Sequence, residues 1–447
     1  MKKIENSIRA WKMRGLSMIC RNLIVKTLLA SQLTYIARAI NIPDTVVNKI
    51  NGMFFKFIWN RGEAVKRNTV VSDFEMGGIK AFHVHSFFNS LKMSWIKKLA
   101  NDEVAVWKNI GLYYLSKTGL NIDLFNCNCN YSEMNMRCTS SINSLPTFYS
   151  SMIKTWFCVK PVVHKHDVVN PNAEIIWNNI SIQLNRKTLF MREWIDHGFL
   201  RVNDLFDVHG NILSIQAIQN RMPANKRVFM DYFIIYNALP PNWRTNNDPR
   251  VHHVHASDIM FNGVSIYKCS LHMYRETMIK SLYVPPKCHA YWEKRFPDYD
   301  FNWNIIWRKL LLCTNEARLI SLTWKILHNI YPTKTLLFKM GKEDTNVCIK
   351  CNVIDYVDHF FFSCKNIKHV WEKLNFIVSQ RLNKNISLSV TDVLFGVHDK
   401  SINRVQSIFI HNIISVAKLC IGKFRYGNHP NLLFLFEHEL ALRQINL

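Results

Sequence analysis

The sequence predicts a mainly α-helical protein that carries one small module of a different kind. Two observations predict the helices and a third sets the module apart. Apolar residues recur at helical spacing in most segments, and Pro, Gly and Asn mark the stops between them. Within the last third of the chain, Cys348, Cys351, His359 and Cys364 form a C-x2-C-x7-H-x4-C array.

The first helix signal runs from Ser17 to about Arg38, where Ile19, Leu23, Ile24, Leu28, Leu29, Leu33 and Ile36 share one face and Ser17 is placed to cap the start. Pro43-Asp44 stops that run and starts another, with Val47, Ile50, Phe54, Phe57 and Ile58 apolar. Gly77-Gly78 reads as a turn, and Phe87 to Leu99 as a third helix. From Leu120 to Pro146 the composition shifts to Asn, Ser and Cys, which reads as a surface loop with exposed Cys127, Cys129 and Cys138. Trp194 to Phe206 and Ile215 to Asn237 continue a mixed helical pattern. Beyond Pro285-Pro286, Trp292, Phe296, Trp303, Trp307, Ile320, Trp324 and Leu327 restore a helical, aromatic one. Val370 to Leu382 and Ile408 to Leu419 close the chain. The expected organisation is therefore a helical region over 1–118, a linker or loop over 119–147, a mixed helical connector over 148–300, and a helical region over 301–447 with the module at about 320–375.

The array reads as one zinc site. Two cysteines two residues apart place both sulfurs on one tight turn, and the segment from Asp358 to Cys364 supplies the other pair. Four thiolate or imidazole ligands leave no open coordination position, so the metal is structural. The competing reading is a set of buried free thiols beside a core histidine. His252, His253 and His255 lack a cysteine or carboxylate pair and read as solvated loop residues.

Charge supplies the partner class. The 447 residues carry a formal net charge of +25 with 48% hydrophobic content, so the chain is globular and in need of polyanions. No apolar run reaches the roughly 18 residues that span a bilayer, so no membrane partner is expected. The first residues lack the apolar stretch and cleavage site of a secretory signal, so an intracellular protein, cytoplasmic or nuclear, with reduced thiols is expected. Up to Lys26, seven cations including Lys12, Arg14, Arg21 and Lys26 face the single acid Glu5. Arg14 and Arg21, seven apart, share a stripe if the helix runs back through Gly15. Lys66-Arg67 form a second cluster, and Lys350, Lys365 and Lys368 a third around the array. Such groups suit phosphate contacts without base selection.

Three blocks together resemble the reverse transcriptases of LINE-type (non-LTR) retrotransposons, in the part that follows the polymerase palm. The first is Trp11 to Ser17 with Arg21, Ile24-Val25-Lys26, Ser31 to Tyr35, Phe57-Ile58-Trp59 and Gly77-Gly78-Ile79, similar to the helical thumb. Tyr236 to Trp243 is similar to a recurring connector. Trp324 to Thr333, followed by the array and Trp371, resembles the reverse-transcriptase zinc-binding domain, which implies Zn on Cys348, Cys351, His359 and Cys364. The resemblance implies RNA or an RNA–DNA hybrid as partner, with the polymerase part of a related element as a second one, and no small-molecule substrate. Ile349 departs from the family by standing where a proline often follows the first cysteine. Polymerase chemistry needs adjacent palm carboxylates to hold two metal ions. The sequence contains no Asp-Asp pair, so no enzymatic activity is expected of the chain alone, as for a truncated element copy. Two other readings stay open: a zinc-stapled helical scaffold that binds protein, and a relic without function.

Overall fold

The computed structural model describes residues 1–444 except 61, 102, 223–226, 245–258, 400 and 428. His252, His253 and His255 lie outside the described residues. Helices dominate, and the only strands among the described residues are two hairpins of two-residue strands. The chain divides into two compact units: Met1–Leu33, Thr45–His83 and Ile279–Leu447 form the first, Thr34–Asp44 and Val84–Met278 the second.

In the first unit the Lys2–Lys12 helix ends before Gly15, and a new helix, Met18–Ile24, starts where the Ser17 hydroxyl accepts the Cys20 N–H at 3.2 Å. The break puts Arg14 in a link between helices, so Arg14 and Arg21 do not share a helical stripe. The Arg14 guanidinium instead lies over the Trp11 ring, 4.3 Å from its centroid. A π-type turn at Val25–Leu29 carries the helical run onward and buries Val25 and Leu29.

Asn22 stitches this helix to an extended strip by donating to the Ile79 carbonyl at 3.0 Å and accepting the Phe82 N–H at 3.2 Å. The strip begins at Gly77, whose φ of +79° suits a residue without Cβ. Trp324 Nε1 donates to the Gly77 carbonyl at 2.9 Å, and His328 Nε2 reaches it at 2.7 Å. Burial lowers His328 to about 4, so the ring is neutral near pH 7 and its Nε2–H donates.

The centre of this unit is the Arg404–Tyr426 helix, packed against Ala317–Leu327, Lys368–Leu382 and Leu432–Leu442. Asn403 and Gln406 close a capping box at its start. It is the one described helix long and apolar enough to cross a membrane, and two thirds of its apolar window is buried inside the protein, as in a core helix. This corrects the expectation that no run reaches the length of a bilayer span: the stretch is apolar on average even though Lys418, fully buried, lies within the helix.

The second unit gathers the Val84–Ala100, Val106–Ser116, Thr147–Val159, Ile215–Arg221 and Val228–Ala238 helices around Trp156, Trp177, Trp194 and Trp243. Both hairpins turn on residues with positive φ, Asn185-Arg186 in one and Asn262-Gly263 in the other, the conformation that matches strand twist. Residues expected as a linker at 119–147 carry short helices and pack into this core. Cys127, Cys129 and Cys138 are at most 1% exposed, which corrects the expectation of exposed thiols. Lys160 explains how the polar chain there tolerates burial: its ammonium donates to the Phe125 and Cys127 carbonyls at 3.1 and 3.0 Å.

Candidate metal centre

The four array residues come from two local structures. Val347 bridges Ile354, the Cys348 N–H bonds to the Val353 carbonyl at 2.8 Å, and the Asn352 N–H returns to the Cys348 carbonyl at 2.9 Å. Asn352 takes a φ of +55°, tight enough for Cys348 and Cys351 to meet on one side. The second half is a single π-type turn, His359–Ser363, closed by the Cys364 N–H on the His359 carbonyl at 3.1 Å. A wider turn of this kind brings residues five apart to one edge, so the H-x4-C spacing has a structural meaning. Arg295 pairs with Asp358 at 2.8 Å where the turn begins.

The four ligand atoms lie within 4.8 Å of one another. Cys364 Sγ stands 4.0 Å from Cys348 Sγ and 3.7 Å from Cys351 Sγ. A tetrahedral zinc with Zn–S bonds of about 2.3 Å separates its sulfurs by about 3.8 Å, so the spacing fits that ion. His359 Nδ1 is bonded to Asp355 Oδ1 at 2.8 Å, while its buried Nε2 has no partner among the described residues. That is the arrangement of a ligating imidazole whose second nitrogen is fixed by a carboxylate.

Asp355 is fully buried and also meets Arg425 at 3.1 Å. Burial would raise its carboxyl, but the His359 hydrogen bond and the Arg425 charge outweigh it and hold it below the usual range. Arg425 lies over the Phe360 ring at 4.0 Å and reaches Cys348 Sγ at 3.7 Å. Burial opposes a thiolate at Cys348, yet the N–H groups of Lys350 and Cys351 and the Arg425 charge bring its pKa down. At Cys364 burial prevails and pushes the thiol up to about 12, with Cys351 and Cys348 adding to it. Sulfurs so crowded ionise together when a dication sits among them, and the donor set therefore fits zinc.

Sequence reasoning missed Asp355 and Arg425. Asp355 had a signal, four residues before His359, since a metal-bound histidine needs an acceptor for its other nitrogen. Arg425 comes from a distant helix and had none. Phe360 and Phe361 are buried and pack with Tyr331, so they form local core and offer no face to bases; Phe362 is half-buried against Trp371.

The basic residues do not form one surface class. Lys12, Arg14, Lys66, Lys350, Lys365 and Lys368 are exposed, while Lys26 and Arg67 are half-buried. Arg67 forms a 2.6 Å ion pair with Glu63 and Lys368 a 3.5 Å pair with Glu372. Arg21 is only 8% exposed.

Residues 285–371 match the family described as zinc-binding in reverse transcriptase. The match contains the whole array and the Trp324–Thr333 block. No curated protein matches the chain.

Proposed function

We propose that the chain is a zinc-stabilised nucleic-acid-binding protein, corresponding to the region that follows the palm in LINE-type reverse transcriptases and acting inside the cell. One observation carries the reading: a Cys3His cluster of tetrahedral spacing lies inside a segment that matches a reverse-transcriptase zinc-binding domain. The +25 charge supports a polyanionic partner, RNA or an RNA–DNA hybrid.

Cys348, Cys351, His359 and Cys364 would hold one zinc ion, which supplies four bonds that tie a turn to a helix start. Asp355 fixes the His359 ring by accepting its Nδ1–H. Arg425 neutralises Asp355 and anchors the module to the Arg404–Tyr426 helix. Exposed Lys350 and Lys365 place cations beside the module, where phosphates are reached without base selection. The work is positioning, with polymerisation left to a separate palm.

Binding of the zinc-loaded chain to a labelled RNA, followed from low to high salt, tests this. Affinity should fall steeply, by a logarithmic slope of roughly 0.7 per neutralised phosphate on single strands. Salt-independent or absent binding would favour the protein-binding scaffold.

A further inference from the structure

A cavity of about 980 Å³ opens within the first unit, walled by the Met18–Ile24 helix, the end of Asp44–Trp59, the Ala317–Leu327 and Lys334–Lys339 helices, and the last turns of Arg404–Tyr426. Five of its lining residues are cations, namely Arg21, Arg318, Lys325, Lys342 and Lys423, and none is Asp or Glu. Lys423 is already paired with Glu439. No ion pair among the described residues engages Arg21, Arg318 or Lys342.

Three buried donors sharpen this observation. Arg21 Nε, Ser321 Oγ and Trp59 Nε1 have no hydrogen-bond partner among the described residues, and all three residues line the cavity. Arg21 is 8% and Ser321 6% exposed. Burying a guanidinium without a counter-charge is unfavourable, and desolvation lowers the Arg21 pKa accordingly. A donor-rich, carboxylate-free recess of this kind is relieved by an anion. Its volume exceeds what one phosphate fills and falls in the range of small-molecule sites. Trp59 and Tyr331 add aromatic surface to the wall, on which a base can lie.

We infer that this cavity receives one nucleotide unit of a bound strand, with its phosphate on Arg21 and Ser321 and its base on the aromatic wall. The inference rests on the nucleic-acid reading above and names where in the fold one nucleotide is held. The recognised chemistry, a phosphate ester joined to a flat ring, is shared by a strand and by a free nucleotide.

The test uses the full zinc-loaded chain, a fluorescein-labelled, 5′-phosphorylated oligouridine containing 4-thiouridine, and AMP as the free nucleotide. Two variants are compared with the parent: Arg21→Gln with Ser321→Ala, and Arg318→Glu with Lys342→Glu. The second pair is on exposed residues, so it decides the matter if the first fails to fold. The inference expects each variant to weaken binding roughly tenfold or more, and photo-crosslinks to map to peptides containing Trp59 or Tyr331. If the parent binds the oligonucleotide and both variants bind equally well with crosslinks elsewhere, the inference is overturned and the nucleic-acid reading stands. If the parent ignores the oligonucleotide but binds AMP in a way the variants lose, the cavity is a free-nucleotide site and the nucleic-acid reading falls. Binding of neither probe overturns both.

Discussion

Asp355 Oδ1 accepts the His359 Nδ1–H at 2.8 Å, and this contact commits the imidazole to offering Nε2 to the sulfurs. The same carboxylate meets Arg425, so one buried acid ties the metal centre to the central helix of its unit. Asp355→Asn should keep the ring close to its place while removing the charge that strengthens it as a ligand. Zinc affinity, measured by competition with a chromophoric chelator, should fall roughly 10- to 100-fold. Unchanged affinity would mean that Asp355 serves only Arg425.

Chelation should undo more than the four ligands. Structural zinc in small fingers contributes about 10–16 kcal/mol of folding free energy. Hydrogen exchange of the Val347–Cys364 amides should rise by orders of magnitude on zinc removal, beginning with the Cys348 and Asn352 N–H groups of the knuckle. Exchange that stays slow without metal would show that Phe360 and Phe361 hold the turn by packing alone.

Stability should decline on mild acidification. His328 and His411 are buried with pKa values lowered by desolvation from 6.5 to about 4. The unfolded chain therefore binds protons that the folded chain refuses, so stability is intact above pH 6.5 and is lost as pH falls towards 4. Each ring accounts for at most about 3 kcal/mol across that window. His328→Gln should flatten the slope of denaturant midpoint against pH between 7 and 5, and an unchanged slope would contradict the assignment.

Gly77 is predicted to resist any side chain. Its φ of +79° disfavours an L residue, and an added Cβ would come within 2.8 Å of Pro286 Cγ and 3.0 Å of Trp307. Gly77→Ala should destabilise the protein by about 1–3 kcal/mol in chemical denaturation. A neutral result would mean that the Gly77 carbonyl bonds to Trp324 and His328 survive a shifted backbone.

Helix positions were legible where apolar spacing and caps agreed, as at Ser17 and at Asp44–Trp59. The metal array was legible because coordination fixes spacing locally. What escaped were features made by distant partners. Arg21 looks like a surface cation in the sequence, yet it is buried beside residues some 300 positions later. Cys127, Cys129 and Cys138 sit among Asn and Ser, and only packing from helices elsewhere in the unit carries them into the core. The break at Gly15, by contrast, is local: the Ser17 cap read from the sequence begins a new helix there, which separates Arg14 from Arg21.

The most direct test of the account is the zinc content of the purified chain beside a Cys348→Ser, Cys351→Ser variant. The account predicts one zinc per chain, lost in the variant. No zinc in either protein, or equal zinc in both, would contradict it.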